Sequence, residues 1–485
     1  MHSTSKKSKR FNVLILCPDQ LRADYLSCYG HPTVCTANID RLASEGVKFE
    51  RAYCSAPLCG PSRISFVTST RVSEHNHRNY GSTIDFAVPN LVGELKKVGY
   101  RTAMFGKNHM FNNQQLEYIW DELDHVCAGN YDDHPMYKRS FDAFPMEPDY
   151  HFNLTARLAD EAIDFLGRQP RNHPFLLWVN WQDPHPAYTC PEPYFSMFDR
   201  SLIPLPPMYR EGGGTGKPRR LTNWQVNCQA AEASDAEIRN ARAAYMGQIR
   251  YVDDNVGRIL EALDETGHAQ NTIIVFFADH GELLGDQGAW HKIGAFYECL
   301  TRIPVIIKHP EGAYHGVFKG LVEEVDIAPT ILDACGIPIP PTFVGESLHL
   351  RLADGAVAHG RPTALVETGM LAPTWPGPFE VPQKAPFTPN QFGPGAMVTD
   401  GRFKLSMYYD DTPELYDLQS DPHELYNRYS DPKLAEIRER LTVELCRRIL
   451  GAGVRDVGLE WTGDCGDPRQ SPLEVAAKEK RTTVG

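Results

Sequence analysis

Five short apolar runs constrain the fold of this chain most: "FNVLILC" (11–17), "RTAMFG" (101–106), "FLLWVNW" (175–181), "TIIVFFA" (272–278) and "IPVIIK" (303–308). Rich in β-branched and aromatic residues and nearly free of charge, they read as strands covered on both faces. Between them stand segments with helical spacing of apolar residues: "NIDRLASEG", "VPNLVGELKKVG", "LTARLADEAIDFLGRQ" and "IRNARAAYMGQIRYVDDNVGRILEALDETG". The alternation predicts an α/β fold with a large, mixed, mostly parallel sheet sandwiched by helices. Further on, "AMVTDGRFKLSMYY" predicts a hairpin and "SDPKLAEIRERLTVELCRRILG" a helix closed by glycine, together a small C-terminal α+β subdomain with an antiparallel sheet. We therefore expect a disordered basic tail over 1–10, an α/β domain over 11–385 and the subdomain over 386–485. Between 181 and 235 the pattern gives way to Pro- and Gly-rich sequence, including "PLPPMYREGGGTGKPRR", which reads as a long surface excursion, and a second irregular zone, 369–396, is expected to separate this body from the C-terminal unit.

At 485 residues and 42% hydrophobic side chains, the chain can bury a core larger than that of one small domain. Its 49 Lys+Arg against 62 Asp+Glu give a formal charge of -13, the wrong sign for a general nucleic-acid binder. An anionic substrate must then meet a locally positive site. Twelve cysteines lack the dense spacing of a disulfide scaffold and are expected to be mostly reduced. The opening "KKSKR" and "FNVLILC" imitate a secretory signal, but the apolar run is short and no small-residue cleavage site follows. A cytoplasmic protein is expected, with no membrane span, since no run approaches about 18 apolar residues, and the "NLT" at Asn153 is read as a chance sequon.

In open α/β sheets, ligands gather beyond the carboxyl ends of strands. Two predicted strands end in residues suited to a metal: "FNVLILCPDQ" delivers Asp19 and Gln20, and "TIIVFFADHGE" delivers Asp279 and His280. Oxygen donors with one imidazole suit Ca²⁺, Mg²⁺ or Mn²⁺ better than structural zinc. Either pair alone is more often a cap or a turn. A third feature is Cys59 in "SAPLCGPSRISFVTSTR". It can be read as an inert buried thiol, a phosphatase-type nucleophile or a zinc ligand. The second needs an arginine six positions on, whereas Arg63 lies four on, and Cys54 is a poor zinc partner. Pro61 sits at a natural first-turn position, which puts Cys59 at a helix N-terminus, where amides and dipole favour an anion.

"CGPSR" resembles the C-x-P-S-R signature of type I sulfatases, whose cysteine is oxidised to formylglycine. Other elements resemble that family in its order: the opening "FNVLILCPDQLRADYLSCYGHPTVCTANIDRLASEGVKFERAYC", "GYRTAMFGKNHM", "DPHPAY", "FFADHGELLGDQGAWHKIGAFYECLTRIPVIIK" and "ELYDLQSDPHELYN". Together they cover about residues 11 to 450, and they place the chain's resemblance in the alkaline phosphatase superfamily.

The resemblance implies a sulfuric ester hydrolase in which Cys59, as hydrated formylglycine, provides the nucleophile and one divalent metal is held by Asp19, Gln20, Asp279, His280 and position 59. The metal so implied is Ca²⁺, with Mn²⁺ or Mg²⁺ open because Gln20 stands where many sulfatases have a second aspartate. Arg63 is expected to stabilise the nucleophile and metal side, Lys107 and Lys292 to neutralise the sulfuryl oxygens, His109 to act as base, His185 as acid for the leaving oxygen, and Asn79 to contact the sulfate. In another sequence the lysines would be solvated charges and His185 a turn residue; His75, His77 and His291 are taken as bystanders. The implied partners are a small-molecule or saccharide sulfate ester and a formylglycine-generating maturase. A homo-oligomer is left open, with the tail after Cys465 within reach of a neighbouring subunit. The Asp-Gln pair also resembles choline sulfatases and phosphonate monoester hydrolases. Hydrolysis of phosphonate monoesters or phosphodiesters is therefore the alternative, and a sulfate-ester binding protein never modified at Cys59 a third.

Overall fold

The strand Asn12–Pro18 is buried along its whole length, and its side chains divide between two cores. Leu14 and Leu16 join the cluster built with the helices Leu154–Arg168 and Asp235–Glu265; Val13, Ile15 and Cys17 join the cluster built with Leu91–Lys97 and Ile327–Ala334. An apolar strand without alternation is what two covered faces require, and each fully buried aliphatic side chain stabilises the fold by about 1.5–3 kcal/mol.

The computed structural model describes residues 10–79, 82–126, 136–147, 153–207, 216–353, 360–370 and 392–451. The expected basic tail apart from Arg10, most of the irregular zone 369–396 and the segment after Cys465 lie outside them. In the large sheet the strands run in the order Gly316–Glu323, Val47–Tyr53, Val305–Lys308, Thr272–Phe277, Asn12–Pro18, Phe175–Trp181, Arg101–Lys107 and Glu122–Val126, with the short Arg302–Ile303 beside Val47–Tyr53. Val305–Lys308 pairs antiparallel with both neighbours, as Arg302–Ile303 does with Val47–Tyr53; the other pairings are parallel. All five expected strands are present, the last split at Pro304, which has no amide to give to a ladder. The four expected helices are present too. The longest starts at Asp235 because Ser234 and Glu237 form a reciprocal capping box.

The reading of 181–235 as a surface excursion is corrected. Phe195, Phe198, Leu221 and Ala230 are buried in the core beside the 235–265 helix, and an unforeseen helix, Arg219–Asn227, occupies part of the segment. Its apolar residues are too irregularly spaced to show a period, yet they pack.

A second sheet, antiparallel throughout, orders Ala364–Met370, Phe392–Thr399, Phe403–Tyr408 and Glu414–Asp417. The helix Ala435–Leu450 covers it through Leu441 and Leu445, against Leu365, Val398, Leu405 and Leu415. The first of these strands precedes residue 386. Among the described residues no helix is long and apolar enough to cross a membrane.

Candidate active site

Asn12–Pro18 and Thr272–Phe277 are adjacent and parallel, with Leu16 opposite Phe276, so their carboxyl ends emerge side by side. The first continues into Asp19 and Gln20, the second into Asp279 and His280, and all four are fully buried. The Gln20 amide donates to Asp279 Oδ1 at 3.0 Å, and Gln20 turns into left-handed backbone at φ 63°. Two strands away, Arg101–Lys107 delivers Lys107 beside Asn180 of the intervening Phe175–Trp181. The approach is close at Gly106, where φ is +110° and a Cβ would sit 2.0 Å from Asn180 O.

Cys59 is the first residue of the helix Cys59–Thr68, whose ten residues are all buried, and Pro61 lies in its first turn as expected. The Cys59 Sγ is 3.1 Å from His280 Nε2, 3.5 Å from Lys107 Nζ and 3.6 Å from Asp19 Oδ1. Lys107 Nζ also donates to Asp19 Oδ2 at 2.6 Å. Arg63, with no exposed surface, donates to Asp279 Oδ2 at 2.8 Å, Asp19 Oδ2 at 3.1 Å and Asn180 Oδ1 at 2.6 Å. One guanidinium thus spans both carboxylates, using the fork geometry that a lysine lacks.

Burial alone would raise the Asp19 carboxyl, but Lys107 and Arg63, with His185 and Lys292, outweigh it and hold it well below the usual carboxylate range. For the Cys59 thiol, burial and then Asp19 push upward; Lys107, Lys292 and His280 prevail and leave it below the ordinary thiol value. Three nearly or fully buried cations, Arg63, Lys107 and Lys292, supply the local positive charge that an acidic chain needs to receive an anion.

Ligand atoms of Asp19, Cys59, Asp279 and His280 all lie within 4.8 Å of one another. With His280 Nδ1 2.9 Å from the Gly281 carbonyl, Nδ1 carries the proton and Nε2 is left facing the cluster. Two carboxylates, one imidazole and the residue-59 side chain fit a divalent cation of the Ca²⁺, Mg²⁺ or Mn²⁺ kind. The Gln20 amide oxygen accepts from Lys292 Nζ, and its NH₂ donates to Glu282.

His109 and His185 stand close enough to feel the site's charges. Burial first, then Lys107 and Arg63, hold His109 well below the usual imidazole range; its Nδ1 is buried without a hydrogen-bond partner among the described residues. Burial, Lys292 and Lys107 do the same to His185, whose Nδ1 lies 2.6 Å from the Pro186 carbonyl. Asn79 is not drawn into the cluster by any hydrogen bond among the described residues; its carbonyl accepts from Ser82. His291 bonds the Ser140 carbonyl and the Tyr137 hydroxyl instead.

Three buried residues escaped the sequence reading: Asn180, which orients Arg63; Glu282, which holds Gln20 and the amides of Leu284 and His291; and Glu324, bonded to Ser62 of the Cys59 helix. Only Glu282 had a nearby signal, its place two residues after His280.

The model of the family described as Sulfatase matches residues 11–337, and that described as "N-sulphoglucosamine sulphohydrolase, C-terminal" matches 388–449. An arylsulfatase of Clostridium perfringens is 30% identical over 70% of this chain and 77% of its own. An N-acetylglucosamine-6-O-sulfatase of Bacteroides thetaiotaomicron is 26% identical over 90% and 86%. Among solved structures, a phosphonate monoester hydrolase from Silicibacter pomeroyi superposes with a TM-score of 0.76 at 27% identity, over 91% of this chain and 96% of that one. The strand-end cluster thus sits in a chain matched through nearly all of its α/β body, and this protein belongs to the sulfatase family, within the alkaline phosphatase superfamily.

Proposed function

We propose that the protein hydrolyses sulfate monoesters at the Cys59 cluster, with formylglycine made from Cys59 by a maturase and one divalent cation held by Asp19, Gln20, Asp279, His280 and position 59. The observation that carries this reading is the buried Cys59 thiol at a helix start, 3.5 Å from Lys107 and 3.1 Å from His280. When present, the formylglycine hydrate and the cation supply an oxygen nucleophile that is ionised near neutral pH. We take the cation as Ca²⁺, with Mn²⁺ and Mg²⁺ the competitors.

The chain's own residues do the rest. Arg63 fixes the spacing of Asp19 and Asp279. Lys107 and Lys292 draw a sulfate into the buried site and meet the charge that grows on its oxygens as the ester bond breaks. His109, held neutral, accepts a proton at Nδ1, which has no hydrogen-bond partner among the described residues. His185, with Nδ1 turned to Pro186, presents Nε2 to the leaving oxygen. Its lowered proton affinity comes from burial and the two lysines, and a bound anion offsets the lysines, so substrate binding itself favours the protonated acid. Asn79 is the proposed further sulfate contact. The saccharide sulfatase among the relatives supports a sugar or other small alcohol as the ester arm.

A second reading, phosphonate monoester or phosphodiester hydrolysis, is favoured by Gln20 beside Asp19 and by the likeness to the Silicibacter enzyme. The test is a side-by-side kcat/KM comparison of 4-nitrophenyl sulfate, saccharide sulfates, a phenylphosphonate monoester and a phosphodiester on metal-loaded, converted enzyme. Preference for a sulfate monoester is expected. Faster turnover of the phosphonate or diester than of any sulfate would make the second reading the correct one.

A further inference from the structure

Ser62, in the first turn of the Cys59 helix, places its Oγ 2.7 Å from the Asp279 carbonyl oxygen and 2.6 Å from Glu324 Oε1. A hydroxyl has one proton and cannot donate to both. Glu324 follows the strand Gly316–Glu323, is fully buried, and accepts the Ser55 amide at 2.8 Å on its other oxygen. Among the described residues, no cationic side chain pairs with it. Asp279 across the gap is an acid, and Cys54 and Cys17 behind it are buried thiols. Arg63, the cation of the facing helix, points at Asp19, Asp279 and Asn180. Arg71, Arg361 and Arg448 on neighbouring elements pair with Glu323, and Arg361 also with Asp326. A buried carboxylate without a cation sheds its charge by taking a proton. With that proton the count closes: Glu324 Oε1–H donates to Ser62 Oγ, and Ser62 donates to the Asp279 carbonyl.

We propose that Glu324 is a neutral carboxylic acid and a positioning residue, which through Ser62 pins the backbone of Asp279 to the start of the Cys59 helix. The clamp joins three segments distant in sequence and fixes the separation of the two side chains that meet at the cluster. Its consequence for turnover rests on the function proposed above; the protonation of Glu324 does not.

Infrared difference spectra of the metal-loaded full chain against Glu324→Gln test the protonation directly. A protonated-carboxyl C=O stretch should be present at neutral pH, absent from the variant, and lost in the wild type only at alkaline pH, because burial raises this group above the ordinary carboxyl range. Glutamine can still donate to Ser62 and accept from Ser55 but cannot ionise. Glu324→Gln should therefore retain most of kcat and lose whatever alkaline decline Glu324 causes, whereas Glu324→Ala should lower kcat by about 10- to 100-fold with KM little changed. The proposal is overturned if no such band belongs to residue 324, or if glutamine is as damaging as alanine in kcat and melting temperature. A wild type that carries the band yet turns over no sulfate ester would count against the sulfatase reading and leave the clamp standing.

Discussion

Under the function proposed above, Lys107 is the residue on which the choice of substrate turns. With 1% of its surface exposed, it reaches both Asp19 and Cys59, and no solvent shares its charge. A sulfate monoester presents three oxygens to such a site, while a diester puts an ester arm where one of them would be. Lys107→Ala should lower sulfate monoester turnover about a hundredfold or more, the scale of removing one preorganised charge contact, and lower diester turnover less, as steady-state rates on both esters would show. Asp279 is a proposed metal ligand. About one equivalent of metal per chain is expected by elemental analysis, and Asp279→Ala should lose it. The same change leaves Arg63 without its closest carboxylate, so a stability loss of about 3–5 kcal/mol should accompany it; full metal content and activity in the variant would contradict the ligand set. Asp19, Cys59, Asp279 and His280 were legible because each sits where a readable strand or helix ends or begins. Glu324 and Asn180 were not, because a buried polar residue takes its role from partners far away in sequence, 262 residues in the case of Ser62 and Glu324.

Among the elements, those with uninterrupted apolar runs declared themselves, since two covered faces demand such runs. Val47–Tyr53 escaped because Lys48, Glu50 and Arg51 interrupt it, and Glu122–Val126 because it is a charged edge strand. Gly106 shows how tightly the readable strands meet. Its left-handed backbone and the 2.0 Å approach to Asn180 O leave no room for a methyl group. Gly106→Ala should cost about 1–3 kcal/mol in backbone strain alone, measurable by denaturant unfolding, and should reduce activity by moving Lys107. A second junction joins helices: Asp253 accepts the amides of Ile39 at 2.8 Å and Asn38 at 3.1 Å, at the start of Ala37–Glu45. Burial, opposed by those amides and Arg250, raises its carboxyl to about 6 from 3.8. The stability it contributes is therefore full below its unfolded value and lost as pH rises through about 6. Asp253→Asn cannot ionise, so between pH 4 and 7 its stability relative to the wild type should improve by about 2 kcal/mol; an unchanged difference across that range would contradict the raised value.

For the molecule as a whole, the sheet acts as a frame that brings five separate pieces of chain to one end. Its parallel strands bring Asp19, Lys107, Asn180 and Asp279 to that end, and the buried helix Cys59–Thr68 supplies Cys59 and Arg63. The net charge of -13 and the three cations inside are compatible because the attraction is local and desolvated. The function proposed above requires a converted cysteine at the head of this frame. Peptide mapping of residue 59 by mass spectrometry tests it, in batches made with graded amounts of a formylglycine-generating enzyme and each assayed for sulfate ester hydrolysis per chain. Activity should rise in proportion to the fraction of chains carrying the aldehyde or its hydrate at position 59. Full activity in chains whose Cys59 is an ordinary thiol would contradict it.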